Sequence, residues 1–230
     1  MFLLPLRAQK TVIQMNSQEK IDFLIRHFSV QASDVQSELQ YENAFQLLVA
    51  TMLAAQCTDK RVNATTPALF EAYPDPAAMS KATVPEILAY IKSISYPNSK
   101  SLHLLQMSKM IMEEFGGQVP DTMEGLTRLP GVGRKTANVV LAFAFGKSAM
   151  PVDTHVFRVA HRLGLVKDAP TPAHVEKQLT ALIPEAELSR AHHWLLLHGR
   201  YVCLSRRPHC ETCPLASICD SFPEFAKRST

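Results

Sequence analysis

At 230 residues the chain is long enough to bury a core without disulfide staples, and it admits one large domain or two small ones. Hydrophobic residues make up 47% and charged residues 20%, which excludes an intrinsically disordered chain. No apolar run reaches the roughly 20 residues that a membrane span needs, and the Met1-Phe2-Leu3-Leu4-Pro5-Leu6 start is too short for a signal-peptide core, so a soluble intracellular protein is expected. The net charge is only +3, but from Arg128 to Arg207 there are 12 Lys and Arg against 5 Asp and Glu, a local balance of +7. That concentration suits a phosphate-backbone partner as well as it suits a solvated basic face.

In chain order, the first 14 residues read as dispensable, because Met15 followed by the charged, helix-like Asn16 to Arg26 segment offers an alternative start. Ala44 to Ala55 is apolar nearly all round, as in a helix buried inside a bundle. Turn signals follow at Tyr73-Pro74-Asp75-Pro76, Tyr96-Pro97-Asn98-Ser99 and Gly116-Gly117. Met123 to Leu129 reads as a short helix, Gly131-Val132-Gly133 as a hairpin, and Thr136 to Phe145 as a second buried helix, since its ten residues lack the period-2 alternation of a strand. Val156, Phe157, Val159, Ala160 and Leu163 mark one helical face. Beyond the Ala169-Pro170-Thr171-Pro172 turn, Val175 to Ile183 and Ala191 to Val202 repeat the pattern. Helices separated by short punctuated loops predict an all-α protein. A helical domain is expected over residues 37–147 and a second over 148–230, with a helix from residues 1–36 packed on the latter.

The run Leu129-Pro130-Gly131-Val132-Gly133-Arg134-Lys135-Thr136-Ala137 carries the most chemistry. Two glycines one residue apart let the backbone turn tightly and approach a ligand, and the helix that follows presents unpaired N–H groups suited to a phosphate. A plain interhelical turn accounts for the same residues. Lys135 falls in the first helical turn, where the helix dipole and Arg134 disfavour positive charge, so it spends more time as the free amine that Schiff-base chemistry needs. A simple phosphate contact is the alternative. Asp153, eighteen residues on in Val152-Asp153-Thr154-His155, suits an N-cap or a general base, while His155 reads as a satisfied helix-start histidine.

Five cysteines are distributed unevenly: Cys57 alone, then Cys203, Cys210, Cys213 and Cys219 with C-x6-C-x2-C-x5-C spacing. An odd count without a secretion signal argues against a disulfide framework and for a metal site. Four cysteine ligands fit zinc or an iron–sulfur cluster, but a zinc ribbon usually shows two C-x2-C pairs and only Cys210/Cys213 has that spacing. Cys57 reads as an inert packing residue.

Taken together, Leu129–Ala137, Val152–Val156 and the four cysteines resemble endonuclease III, the family of helix-hairpin-helix DNA glycosylases and abasic-site lyases. The similarity runs from about Met15 to Cys219. It includes Leu53-Ala54-Ala55-Gln56-x-Thr58-Asp59, His192-His193-Trp194 and His198-Gly199-Arg200-Tyr201. The resemblance implies a six-helix barrel domain whose helix-hairpin-helix spans about 123–137, a second domain with a [4Fe-4S] cluster on Cys203, Cys210, Cys213 and Cys219, and a DNA cleft between the two. It also implies that Lys135 attacks C1′ of the damaged nucleotide and that Asp153 assists base loss and amine activation. An oxidised pyrimidine is expelled, an imine forms, and β-elimination breaks the strand.

On this basis Gln56 fills the space left by the flipped nucleotide. Tyr96 stands where the family usually carries a Leu wedge, so either intercalation or plain packing is open to it. Gly131, Val132, Gly133 and Arg134 are expected to contact DNA through the hairpin. Arg206 and Arg207 are phosphate candidates in the cluster loop, with a solvated pair as the alternative. The expected partner is double-stranded DNA with an oxidised pyrimidine or abasic lesion, bound by a cytoplasmic monomer that is nucleoid-associated in a bacterium. A monofunctional glycosylase would not need Lys135, and a DNA-binding module with structural zinc would need neither Lys135 nor Asp153.

Overall fold

The structure is a computed structural model and describes residues 12–31 and 37–227. Residues 1–11, which make up most of the stretch read as dispensable, lie outside the described residues. All regular secondary structure among the described residues is helical, and no described helix is long and apolar enough to cross a membrane. The described residues fall into two units, 37–151 in one and 12–31 with 152–227 in the other.

The second unit opens with α1 (Ser17–Gln31). Asn16 and Glu19 cap its start reciprocally, each side chain taking the other's backbone N–H at 2.9 and 2.7 Å. The first unit holds α2 (Ala44–Ala54), α3 (Asp59–Ala72), α4 (Pro76–Ser80), α5 (Val84–Ile91), α6 (Pro97–Glu114), α7 (Met123–Arg128) and α8 (Arg134–Phe143). As the all-round apolar pattern predicts, α2 is the hub of this unit, with every residue from Phe45 to Leu53 buried. Ile87, Ile91, Leu104, Met107, Ile111, Leu126 and Val140 belong to the same core.

Side chains cap five of these seven helix starts: Asn43, Thr58, Asp75, Thr83 and Thr122 each accept a backbone N–H of the first turn. The starts of α6 and α8 have no such cap. The Tyr96–Ser99 turn expected from sequence is in fact the entry to α6. Pro97 occupies the first helical position, where its missing N–H costs nothing, and only Tyr96 lies outside the helix.

The remainder of the second unit consists of α9 (Thr154–Leu163), α10 (Pro172–Leu182), α11 (Leu188–Tyr201) and α12 (Phe222–Lys227). Val156, Val159, Ala160 and Leu163 form the buried face of α9. Phe28 of α1 stacks on Trp194 of α11 at 5.7 Å between ring centroids. Lys20, 2% exposed, donates to Leu163 O at 2.7 Å and pairs with Asp220 at 2.5 Å, which binds α1 to the end of α9 and to the residue after Cys219. Between α9 and α11 the approach is close enough that a Cβ on Gly199 would lie 2.8 Å from His155 Cβ.

Candidate functional site

The Leu129–Gly133 hairpin joins α7 to α8. Gly131 has φ of +79°, and a Cβ there would meet Met52 Cε at 2.7 Å and His103 at 3.0 Å, so both backbone angle and space demand glycine. Val132 departs from expectation. Its side chain is buried and its N–H donates to Leu129 O at 3.1 Å, so it shapes the hairpin and offers DNA neither group. Gly133 is exposed, has φ of −90°, and has open space where a Cβ would stand. It precedes α8 without supplying a side-chain acceptor, so the first-turn N–H groups remain uncapped, the arrangement in which a helix N-terminus attracts an anion. Arg134 and Lys135 are both exposed in that first turn, and the Lys135 amine has no hydrogen-bond or ionic partner among the described residues.

Asp153 belongs to the other unit and does cap α9. Its Oδ1 accepts the N–H groups of His155 at 2.9 Å and Val156 at 2.8 Å, while Oδ2 has no partner among the described residues. The N-cap and general-base readings are therefore compatible, since one oxygen holds the helix and the other is spare. His155 Nδ1 lies 3.2 Å from Arg158 Nη2; a guanidinium only donates, so Nδ1 is the acceptor and the ring proton sits on Nε2.

Gln56 and Tyr96 are exposed and both have left-handed backbones, with φ of 57° and 56°. The structure brings their loops together, because Ser95 Oγ donates to Gln56 O at 2.8 Å. Behind them the nearly buried Lys100 donates to Leu53 O at 2.8 Å and Ala55 O at 2.6 Å. Neither Ser95 nor Lys100 emerges from the sequence, since the partners lie 39 to 47 residues away and no local pattern encodes the contact.

The four C-terminal cysteines line one cavity together with Arg162, His198, Pro208, Phe222 and Phe225, and none of the four is in a disulfide. Burial first, and then the neighbouring Cys203 and Cys213, push the Cys219 thiol up to about 11, against backbone N–H groups that lower it. Burial and Cys203 raise Cys210 as well, against the opposing charge of Arg162. Four crowded cysteine sulfurs are a donor set of the kind that binds a metal or cluster as thiolates. No three His, Cys, Asp or Glu side chains among the described residues are gathered as ligands of one ion. Four cysteine ligands suit either zinc or an iron–sulfur cluster.

Two arginines hold the loop that starts at Cys203. Arg158 donates to Cys203 O at 3.1 Å and Gly199 O at 2.8 Å. Arg162 donates to Leu204 O at 2.7 Å and Ser205 O at 2.8 Å and directs Nη1 at Cys203 Sγ, 3.4 Å away. Burial, reinforced by His27, pulls His198 down to about 4, so it is a neutral ring with Nε2 3.7 Å from Cys213 Sγ. Arg206 and Arg207 project from this pinned loop, exposed and without partners among the described residues.

Residues 49–185 match the model of the HhH-GPD superfamily of base excision DNA repair proteins. Over 195 residues the chain is 46% identical to endonuclease III of Rickettsia conorii, covering 85% of this chain and 92% of the relative. A trapped endonuclease III–DNA covalent intermediate in an estranged-adenine complex matches with a TM-score of 0.86 and 38% identity over 94% of this chain and 100% of the other. A non-covalent endonuclease III–DNA complex matches with a TM-score of 0.87 and 38% identity, covering 93% and 100%. The chain belongs to the endonuclease III family of helix-hairpin-helix base excision DNA repair proteins.

Proposed function

We propose that this DNA glycosylase and abasic-site lyase uses Lys135 as its nucleophile and Asp153 as the carboxylate that serves it. The observation that carries the reading is an exposed lysine, without a partner among the described residues, in the first turn of a helix left without a side-chain cap after a tight glycine hairpin. The lysine amine attacks C1′ of the damaged nucleotide, and the C1′–N bond breaks as the oxidised pyrimidine leaves with a proton. The sugar ring then opens as C1′–O4′ breaks and O4′ takes a proton, which leaves the imine; the imine acidifies the 2′ hydrogen, and its loss expels the 3′ phosphate by β-elimination. Asp153 Oδ2, spared from the α9 cap, takes the proton that the lysine must shed and faces the positive charge developing on the sugar. The likeness to a trapped covalent endonuclease III–DNA intermediate supports this assignment.

In this reading Gly131 and Gly133 admit the phosphate backbone to the hairpin, Arg134 adds charge beside it, Gln56 enters the vacated stack, and Tyr96, 65% exposed, is the wedge. Cys203, Cys210, Cys213 and Cys219 hold a [4Fe-4S] cluster. When bound, the cluster supplies a cross-link among four thiolates, and the loop it fixes presents Arg206 and Arg207 to the backbone. The protein acts as a cytoplasmic monomer on duplex DNA. Borohydride trapping on a duplex with one abasic site tests the central assignment. A covalent protein–DNA band is expected from the native protein and none from Lys135→Ala that still binds the duplex within a few-fold; an equal band from the variant removes Lys135 from the chemistry.

A further inference from the structure

Among the described residues only three non-glycine residues have positive φ: Gln56, Tyr96 and Asp168. A left-handed backbone is costly for a residue with a Cβ and persists where the surroundings over-determine it. The loops that carry two of the three are joined by a hydrogen bond from Ser95 Oγ, next to Tyr96, to Gln56 O. The supports behind them converge on one side chain. Lys100 is 8% exposed, and its ammonium closes the carboxyl end of α2 through Leu53 O and Ala55 O, the residue immediately before Gln56. Its own backbone N–H bonds Tyr96 O at 3.1 Å, so the same residue holds the first turn of α6. Arg61 adds a strap on the outside by donating to Ser93 O at 3.0 Å.

A buried ammonium is expensive unless its protons are satisfied, and a helix carboxyl end is where a cation gains most. An apolar residue in its place would leave Leu53 O and Ala55 O without this donor. Burial does pull this ammonium below the ordinary lysine range, although Cys57 nearby works the other way. The fold therefore retains the charge despite its cost.

We propose that Lys100 is a positioning residue for base extrusion: with Ser95 it locks the Gln56 and Tyr96 loops in one register, so that the residue entering the vacated stack and the residue wedging the opposite side act on the same base step. This rests on the assignment of Gln56 and Tyr96 to DNA, and it goes beyond that assignment by naming what holds them. The consequence is selective. A lesion inside a duplex must be extruded before attack, whereas an abasic site in a single strand needs no extrusion.

The test uses the full cluster-loaded protein and two substrates that share an abasic site, one duplex with 2-aminopurine opposite the site and one single-stranded. Lys100→Met should lose most of the 2-aminopurine fluorescence gain and cleave the duplex at least tenfold more slowly, with single-strand cleavage within about twofold of native. Ser95→Ala, a surface change that leaves the core intact, should lose about threefold on the duplex alone, and its effect should not add to that of Gln56→Ala because Ser95 holds only the Gln56 backbone and acts through the side chain that Gln56→Ala removes. Native fluorescence gain in Lys100→Met overturns the inference, as does an equal loss on both substrates. If Lys100→Met does not fold, Ser95→Ala decides, and native duplex behaviour in that variant overturns the inference. Gln56→Ala and Tyr96→Ala separate the two levels: native behaviour in both overturns the DNA assignment itself, whereas losses there beside native Ser95→Ala and Lys100→Met overturn only the role given to Lys100.

Discussion

Two helix starts in the same unit, those of α5 and α8, make opposite use of one physical fact. Every α-helix begins with N–H groups that have no intrahelical acceptor. At α5 they are consumed: Thr83 accepts the Glu86 N–H, and Glu86 Oε2 takes the Thr83 N–H at 2.7 Å and its hydroxyl at 2.8 Å. At α8 Gly133 offers nothing, and a cation stands at each of the first two helical positions where the dipole prefers an anion. The α5 start is finished within the protein, whereas the α8 start is left without a side-chain cap, as the proposed contact with the DNA backbone requires. The contrast extends across the unit, because the only two starts without a side-chain cap are those entered through Tyr96 and Gly133, the loops assigned to DNA.

Asp153 is the case where both uses meet, and substitution can part them. Asparagine caps a helix as well as aspartate does but carries no charge. Asp153→Asn should therefore keep the native melting temperature while single-turnover base release slows by roughly 10² or more, as loss of a general base predicts. An unchanged rate would reduce Asp153 to its cap. At α8 the converse exchange is available. Gly133→Asp is sterically free and supplies the missing acceptor, so stability should rise by a few tenths of a kcal/mol. DNA affinity, measured by anisotropy at low salt, should fall about tenfold, since the new carboxylate occupies the N–H groups and repels phosphate. Undiminished affinity would mean that the hairpin does not carry a backbone contact.

The same contrast explains how much was legible beforehand. Ala44 to Ala55 reads as a buried helix because burial on all sides leaves an unbroken apolar run, and α9 reads as a face because only one side is covered. By contrast α6 hides its period: Lys100, Ser101 and Ser108 are buried in it, and its Tyr-Pro-Asn-Ser entry carries the residues of a turn. The hairpin glycines, Lys135 and the four cysteines were visible because their chemistry is written in local spacing. Ser95, Lys100, Arg158 and Arg162 were not, because each acts on a carbonyl 39 to 47 residues distant and any polar surface residue looks the same in sequence. Val132 misled for a related reason, since the motif shows that a residue lies in the hairpin but not which way it turns.

Two smaller effects sharpen the comparison from its opposite ends. Arg206→Ala with Arg207→Ala should flatten the salt dependence of DNA binding by roughly one unit of slope per lost phosphate contact, with little change in stability because both side chains are exposed and neither has a partner among the described residues. An unaltered slope would detach that loop from DNA. Thr83→Ala should do the reverse, costing about 1 kcal/mol of stability and leaving trapping and cleavage untouched. Its pH dependence follows from Glu86, whose carboxyl is held below its ordinary range chiefly by the Thr83 N–H and hydroxyl. The unfolded chain then binds the proton more readily than the fold does, so the box stabilises fully above the ordinary carboxylate range and fades as pH falls through the lowered value. Native and Thr83→Ala melting curves should accordingly draw closer in acid without meeting, because the hydroxyl still accepts the Glu86 N–H there; a gap independent of pH would mean that the hydroxyl's bond to the Glu86 carboxylate contributes nothing.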